Sequence, residues 1–165
     1  MNLVIGNKNY SSWSLRPWLL LSHFELDFTE TVESLCGQDL SQRLGTHSPS
    51  NRVPVLIDNK STIWDSLAIC EYVNEQYLQG TAWPADIRAR AYARSISGEM
   101  HAGFSALRSA MPMNIRAKRR VDITADVAKD LARIEHIFGR DRLKYSADGS
   151  WLAGEVSIAD CMYAP

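Results

Sequence analysis

A proline stands at the head of a short apolar run in this chain, Arg52-Val53-Pro54-Val55-Leu56-Ile57-Asp58. Proline has no N–H to give to a β-ladder, so it is confined to strand starts, edges and bulges. The run therefore predicts a strand over 53–58 that the proline opens. If the Val53–Pro54 peptide is cis, Val53 turns its own N–H and C=O outward, free to pair with an extended ligand. The chain then reads Trp64-Asp65-Ser66-Leu67-Ala68-Ile69. Asp65-Ser66 suits the opening of a helix, where free backbone N–H groups and a hydroxyl bind a carboxylate well. Together the two features describe a cradle for a short peptide with an acidic end.

Strands are expected at 2–6, 28–33, 53–58 and 61–64, the last two joined by the turn Asp58-Asn59-Lys60-Ser61. Helices are expected at 14–25, 39–46 and 66–78. Gln79-Gly80-Thr81-Ala82-Trp83-Pro84 is a break with turn chemistry, after which the pattern is all-helical. Tyr92, Ile96, Met100, Phe104, Leu107 and Met111 recur three or four apart, which predicts one helix over 86–111, roughly 39 Å long and stopped near Pro112. A second helix near 123–139 carries Val127, Leu131, Ile134 and Phe138 on one stripe, and Ser157-x-x-Asp160 caps a third. Two domains follow, 1–79 and 86–165.

Composition excludes several classes. The 165 residues carry a net charge of −1, which gives no support for a nucleic-acid partner. The basic cluster Arg116-Ala117-Lys118-Arg119-Arg120 reads as a solvated loop. Cys36, Cys70 and Cys161 are far apart and form no Cys-x-x-Cys, which argues against a disulfide framework and a dithiol redox centre. His23, His47, His101 and His136 show no metal-ligand spacing, so no metal is expected. Met1 leads straight into Leu3-Val4-Ile5, with no signal peptide and no long apolar span. A reducing cytoplasm is the expected location, with no membrane partner.

Ser11, Ser12 and Ser14 crowd the turn between the first strand and the first helix. With Pro17 expected in the first helical turn, Ser14 fits the N-cap, which leaves Ser11 and Ser12 facing the cradle from the strand end.

These motifs resemble the glutathione transferase family, in particular bacterial, serine-type members with a zeta-like N-terminal loop. The resemblance rests on Val53-Pro54 before the third strand and Asp65-Ser66 before the third helix. It extends to the loop Tyr10-Ser11-Ser12-Trp13-Ser14-Leu15-Arg16-Pro17 and to the helix-capping box Ser157-Ile158-Ala159-Asp160. It implies an α/β thioredoxin-like N-terminal domain followed by an all-α C-terminal domain. It also implies further helices after Pro165, so the chain is expected to be a truncated form whose helical domain is incomplete.

The function implied is transfer of the glutathione thiolate to a small hydrophobic electrophile, with glutathione as co-substrate and a homodimer as the assembly. The rival readings are a non-catalytic binding module on the same fold and a glutathione-dependent isomerase or dehalogenase. Carried over residue by residue, Val53 pairs with the cysteinyl backbone of glutathione. Ser66 and its helix N–H take the γ-glutamyl carboxylate, Asp65 takes the ammonium, and Arg52 reaches toward the glycine carboxylate. Ser11 is the thiol-activating hydroxyl, with Ser12 beside it. Trp13 stands where the zeta loop has a cysteine, which counts against zeta-type isomerisation. Trp13, Met100, His101, Phe104 and Arg108 are expected around the second substrate.

The chemistry required of the serine is modest. A free thiol has a pKa near ~8.5, so only about 3% is thiolate at neutral pH. A hydrogen bond to a charged group is worth roughly 1.5–3 kcal/mol, which lowers the thiol pKa by about one to two units. The serine acts as a donor and not as a nucleophile, so no histidine base is needed.

Overall fold

Leu3, Val4 and Ile5 are three consecutive buried residues in β1 (Asn2–Ile5), which therefore has both faces covered and lies inside a sheet. The computed structural model describes residues 1–146 and 150–165 and divides the chain into two compact units, Met1–Gln79 and Gly80–Ala164.

In the first unit β1 runs parallel to β2 (Thr29–Val32) and antiparallel to β3 (Val55–Asp58), which pairs antiparallel with β4 (Ser61–Trp64), in the order β2-β1-β3-β4. The crossover between the parallel strands β1 and β2 contains α1 (Ser12–His23). α2 (Leu40–Gly45) joins β2 to β3, and α3 (Ser66–Gln76) follows β4. This is the thioredoxin-like order, with the edge strands β2 and β4 mostly exposed. The strand expected over 53–58 begins at Val55, because Pro54 and Val53 stand outside the ladder. The buried carboxylate of Asp58 accepts from the Tyr72 hydroxyl (2.9 Å) and from that of Tyr77, and so ties the β3–β4 hairpin to α3. The hydrogen bond to Asp58, with burial, pushes the Tyr77 phenol up to about 12.

In the second unit the expected single helix over 86–111 is two helices. α4 (Ile87–Ala102) is capped by the Asp86 carboxylate, which accepts from Arg88 N (3.0 Å) and Ala89 N (2.8 Å). It ends at Gly103, where a Cβ would lie 2.8 Å from the Glu99 carbonyl oxygen, and Phe104 follows at φ 56. α5 (Ser105–Ala110) then restarts, its Leu107 N–H bonded to Asp130 Oδ2 at 3.0 Å. The apolar spacing continues across this break, so periodicity does not reveal it. α6 (Ala125–His136) runs into a π-helical turn, Ile137–Asp141, and α7 (Arg142–Tyr145). Ile137 takes the fully buried position expected of Phe138, which is 43% exposed.

Arg133 grips Glu99 with two bonds, 2.7 and 2.8 Å, joining α6 to α4, and reaches Asp141 at 3.3 Å. Lys144 donates to Asp141 at 2.8 Å, and that bond leads the interactions that hold the Asp141 carboxyl below its ordinary value. α8 (Ile158–Tyr163) packs on α4 and opens with the expected capping box. The Asp160 carboxylate accepts from Ser157 N (2.8 Å), Ser157 Oγ (2.9 Å) and Leu152 N (2.9 Å).

Asp160→Ala leaves these three donors without their acceptor and is expected to destabilise the protein by about 1–2 kcal/mol, measured by chemical denaturation. Because the folded Asp141 value is depressed, its contribution is present above the ordinary carboxylate range and is lost as pH falls through the lower folded value. Asp141→Asn is expected to flatten the acid limb of a stability–pH curve in that window.

Candidate functional site

The sheet register brings the motif-bearing segments to one end of the first unit. Val4 pairs with Val55, and Val55 pairs with Trp64. The C-terminal end of β1, the segment before β3 and the segment after β4 therefore leave the sheet side by side. Gly6–Ser14, Val53–Pro54 and Asp65–Ser66 all stand there, and α1 and α3 both begin there. Two helix N-termini give this end a positive field.

The Val53–Pro54 peptide is cis. Pro54 is buried and Val53 half-buried. Neither main-chain polar group of Val53 hydrogen-bonds among the described residues. Arg52 is exposed, with its N–H bonded to Ser50 Oγ at 3.3 Å. Asp65 is the N-cap of α3, and its Oδ1 accepts from Leu67 N (2.9 Å) and Ala68 N (3.2 Å). It holds φ 77 and ψ 132, a conformation that a residue with a side chain rarely adopts. Ser66, at the first position of α3, is 1% exposed, and its hydroxyl has no hydrogen-bond partner among the described residues. A buried unsatisfied hydroxyl is expensive and calls for an explanation, of which a ligand group is one.

The serine loop differs from the expectation. α1 starts at Ser12, so Ser11 and not Ser14 is the N-cap residue, and Pro17 falls in the second turn. Ser11 makes no capping bond with its side chain; its hydroxyl donates to Ser14 Oγ at 2.8 Å. Ser14 Oγ also accepts the Gly6 N–H at 3.1 Å, which pins the first turn of α1 to the end of β1. Ser11 and Ser14 are buried. Ser12 is half-buried and makes no side-chain hydrogen bond among the described residues. The link through Ser14 was missed by sequence reasoning. Its signal was the Ser-x-x-Ser spacing, which puts both hydroxyls on one helix face.

Trp13 is half-buried, with the Arg16 guanidinium 4.2 Å from its ring centroid, and Arg16 is 2% exposed. In the helical unit Met100 and Phe104 belong to the buried core, where Phe104 meets Tyr163 edge-on at 6.2 Å between centroids. His101 and Arg108 are half-buried, and an Arg108 nitrogen lies 3.5 Å from the Met100 carbonyl oxygen. Burial lowers the Arg108 pKa. Among the described residues no group of three His, Cys, Asp or Glu side chains is placed to hold a metal ion.

A family model described as the glutathione S-transferase N-terminal domain matches residues 10–76. Maleylacetoacetate isomerase of Rattus norvegicus is 30% identical over 157 residues, covering 93% of this chain and 70% of that protein. The chain belongs to the glutathione S-transferase family. A probable maleylacetoacetate isomerase of Caenorhabditis elegans is 27% identical over 155 residues, covering 93% of this chain and 71% of that one. Among solved structures, a glutathione transferase homologue from Burkholderia with bound glutathione superposes with a TM-score of 0.70 at 25% identity. That match covers 99% of this chain and 77% of the other. In this glutathione S-transferase fold, the matched segment 10–76 contains the serine loop, Val53-Pro54 and Asp65-Ser66.

Asn keeps both a capping oxygen and tolerance of positive φ, whereas Ala keeps neither. Asp65→Asn is therefore expected to melt close to the parent, and Asp65→Ala to lose about 1 kcal/mol or more of stability by chemical denaturation.

Proposed function

We propose that this chain binds glutathione at the end of its sheet and transfers the glutathione thiolate to a small hydrophobic electrophile. The observation that carries this reading is the buried, unpartnered Ser66 hydroxyl at the start of α3, at the same sheet end as the unpaired Val53 main chain. A carboxylate accepts from the Ser66 hydroxyl and the Ser66 N–H, so the γ-glutamyl end of the tripeptide fits there. The Val53 N–H and C=O pair with the extended cysteinyl backbone, in the manner of an added strand. Asp65 meets the ammonium, and the exposed Arg52 meets the glycine carboxylate.

The sulfur then falls toward Ser11 and Ser12 at the start of α1. The thiol gives its proton to solvent, and serine O–H donation and the α1 dipole hold the thiolate. Attack forms the S–C bond. With an aryl halide the halide leaves with the bonding electron pair, so no base or metal is required. Trp13 is proposed beside the electrophile, whereas Met100 and Phe104, expected there, fill the core of the helical unit. The cytoplasm as location and a homodimer as assembly complete this reading. Cys36, Cys70 and Cys161 form no disulfide among the described residues, which suits a reducing compartment, and no helix among the described residues is long and apolar enough to cross a membrane.

A second reading, a glutathione-dependent isomerase, is favoured by the two isomerase relatives that span 93% of the chain. Turnover of maleylacetoacetate without turnover of an aryl halide would select it.

Ser66→Ala is expected to weaken capture on immobilised glutathione by about tenfold. Ser11→Ala is expected to leave capture largely intact and to raise the pKa of the bound thiol by about one unit. Unchanged capture by the Ser66 variant would overturn the assignment of the cradle.

A further inference from the structure

The hydroxyl expected to serve the sulfur is already engaged. Ser11 donates to Ser14 Oγ at 2.8 Å, and Ser14 is 2% exposed, so water does not compete for that contact. Ser14 Oγ in turn accepts the buried Gly6 N–H at 3.1 Å. It is thus a double acceptor whose own proton takes part in neither bond.

The end of β1 leaves this group little room. A Cβ on Gly6 would lie 3.1 Å from Ser11 Cβ and 2.7 Å from Leu35 Cδ1. The Ser11 N–H is also fixed, donating to the Asn7 carbonyl at 2.8 Å. The loop that carries Ser11 is therefore located by main-chain contact, and its hydroxyl by Ser14.

We infer that Ser14 is a positioning residue that holds the Ser11 oxygen in place and exchanges the direction of their shared hydrogen bond when a thiolate binds. Without ligand, Ser11 donates to Ser14. With a thiolate present, Ser11 turns its O–H to the sulfur and Ser14 turns its own O–H to the Ser11 oxygen. The Gly6 N–H holds Ser14 Oγ in both arrangements. No covalent bond is made or broken, and each oxygen keeps its own proton. In the second arrangement the Ser14 dipole polarises the Ser11 O–H and strengthens its bond to the sulfur. Because Ser11 already has a defined place, little reorganisation is needed when the thiolate forms.

This inference rests on the glutathione reading, and the test separates the two. Glutathione isotope-labelled at its cysteinyl Cβ is titrated by NMR in complex with the full chain, and aryl-halide turnover is measured against pH. In the parent chain the bound thiol titrates below free glutathione. Ser14→Ala is expected to retain capture, to shift the thiol pKa up by half a unit to one unit, and to move the rising limb of kcat with it. Ser14→Cys, close in size to serine and poor in hydrogen bonding, gives the same shift if the alanine variant fails to fold. Ser14→Thr, which keeps the hydroxyl, restores the parent value.

In a Ser11→Ala background, Ser14→Ala adds no further shift, because Ser14 acts only through Ser11. An equal shift in both backgrounds, or a lowered melting temperature with an unmoved titration, overturns the role of Ser14 and leaves the glutathione reading standing. An unshifted thiol in the parent chain removes the glutathione reading and this inference together.

Discussion

The antiparallel register of β3 on β1, Leu3 opposite Leu56 and Val4 opposite Val55, governs what the rest of the first unit can do. Leu3, Val4, Val55 and Leu56 are wholly buried. Burial of these residues on both faces of the sheet fastens the pairing. Once it is enforced, the positions of the flanking segments follow. The residues after β1, those before β3 and those after β4 emerge at one end of the sheet. Two of those segments run directly into helix N-termini. Apolar burial thereby arranges polar groups that never touch one another in sequence.

The polar groups gathered there are of two kinds. Some are satisfied within the protein: Asp65 caps α3, and Gly6 N–H and the Ser11 hydroxyl both donate to Ser14 Oγ. Others are left open, namely the Ser66 hydroxyl and the Val53 main chain. A fold that bonds nearly every buried polar atom leaves few such openings. Their occurrence at one sheet end is the observation on which the proposed glutathione cradle rests. The strained φ of Asp65 stands between them, in keeping with strain that collects where binding requires it. Membership of the glutathione S-transferase family agrees with this cradle, although the cradle itself is argued from hydrogen bonding.

Much of the fold was legible. The strand opening at Asn2, the hairpin at Asp58–Ser61 and the caps at Asp65 and Ser157 lie where local chemistry placed them, and β2 falls inside the expected 28–33. Less legible were features that the apolar spacing does not report. The α4 helix stops at Gly103, whose N–H still donates to the Glu99 carbonyl, and Phe104, at φ 56, turns into the core without disturbing the apolar spacing. The π-helical turn moves burial from Phe138 to Ile137. At the site, Val53-Pro54 and Asp65-Ser66 were readable as motifs. The role of Ser14 was not, because a serine three residues before a proline looks like an N-cap until the helix is seen to begin at Ser12.

By itself, the amino-acid order determined which residues could form strands and helices, where proline and glycine would interrupt them, and which residue types could hold a peptide and a sulfur. These are local consequences of sterics, missing donors and apolar period. Only the tertiary structure decided that the Ser11 hydroxyl rests on Ser14, that Ser66 is buried without a partner, and that Met100 and Phe104 fill a core. Those outcomes depend on which atoms water can no longer reach, and exclusion of water is a property of the packed chain that no short stretch of sequence carries.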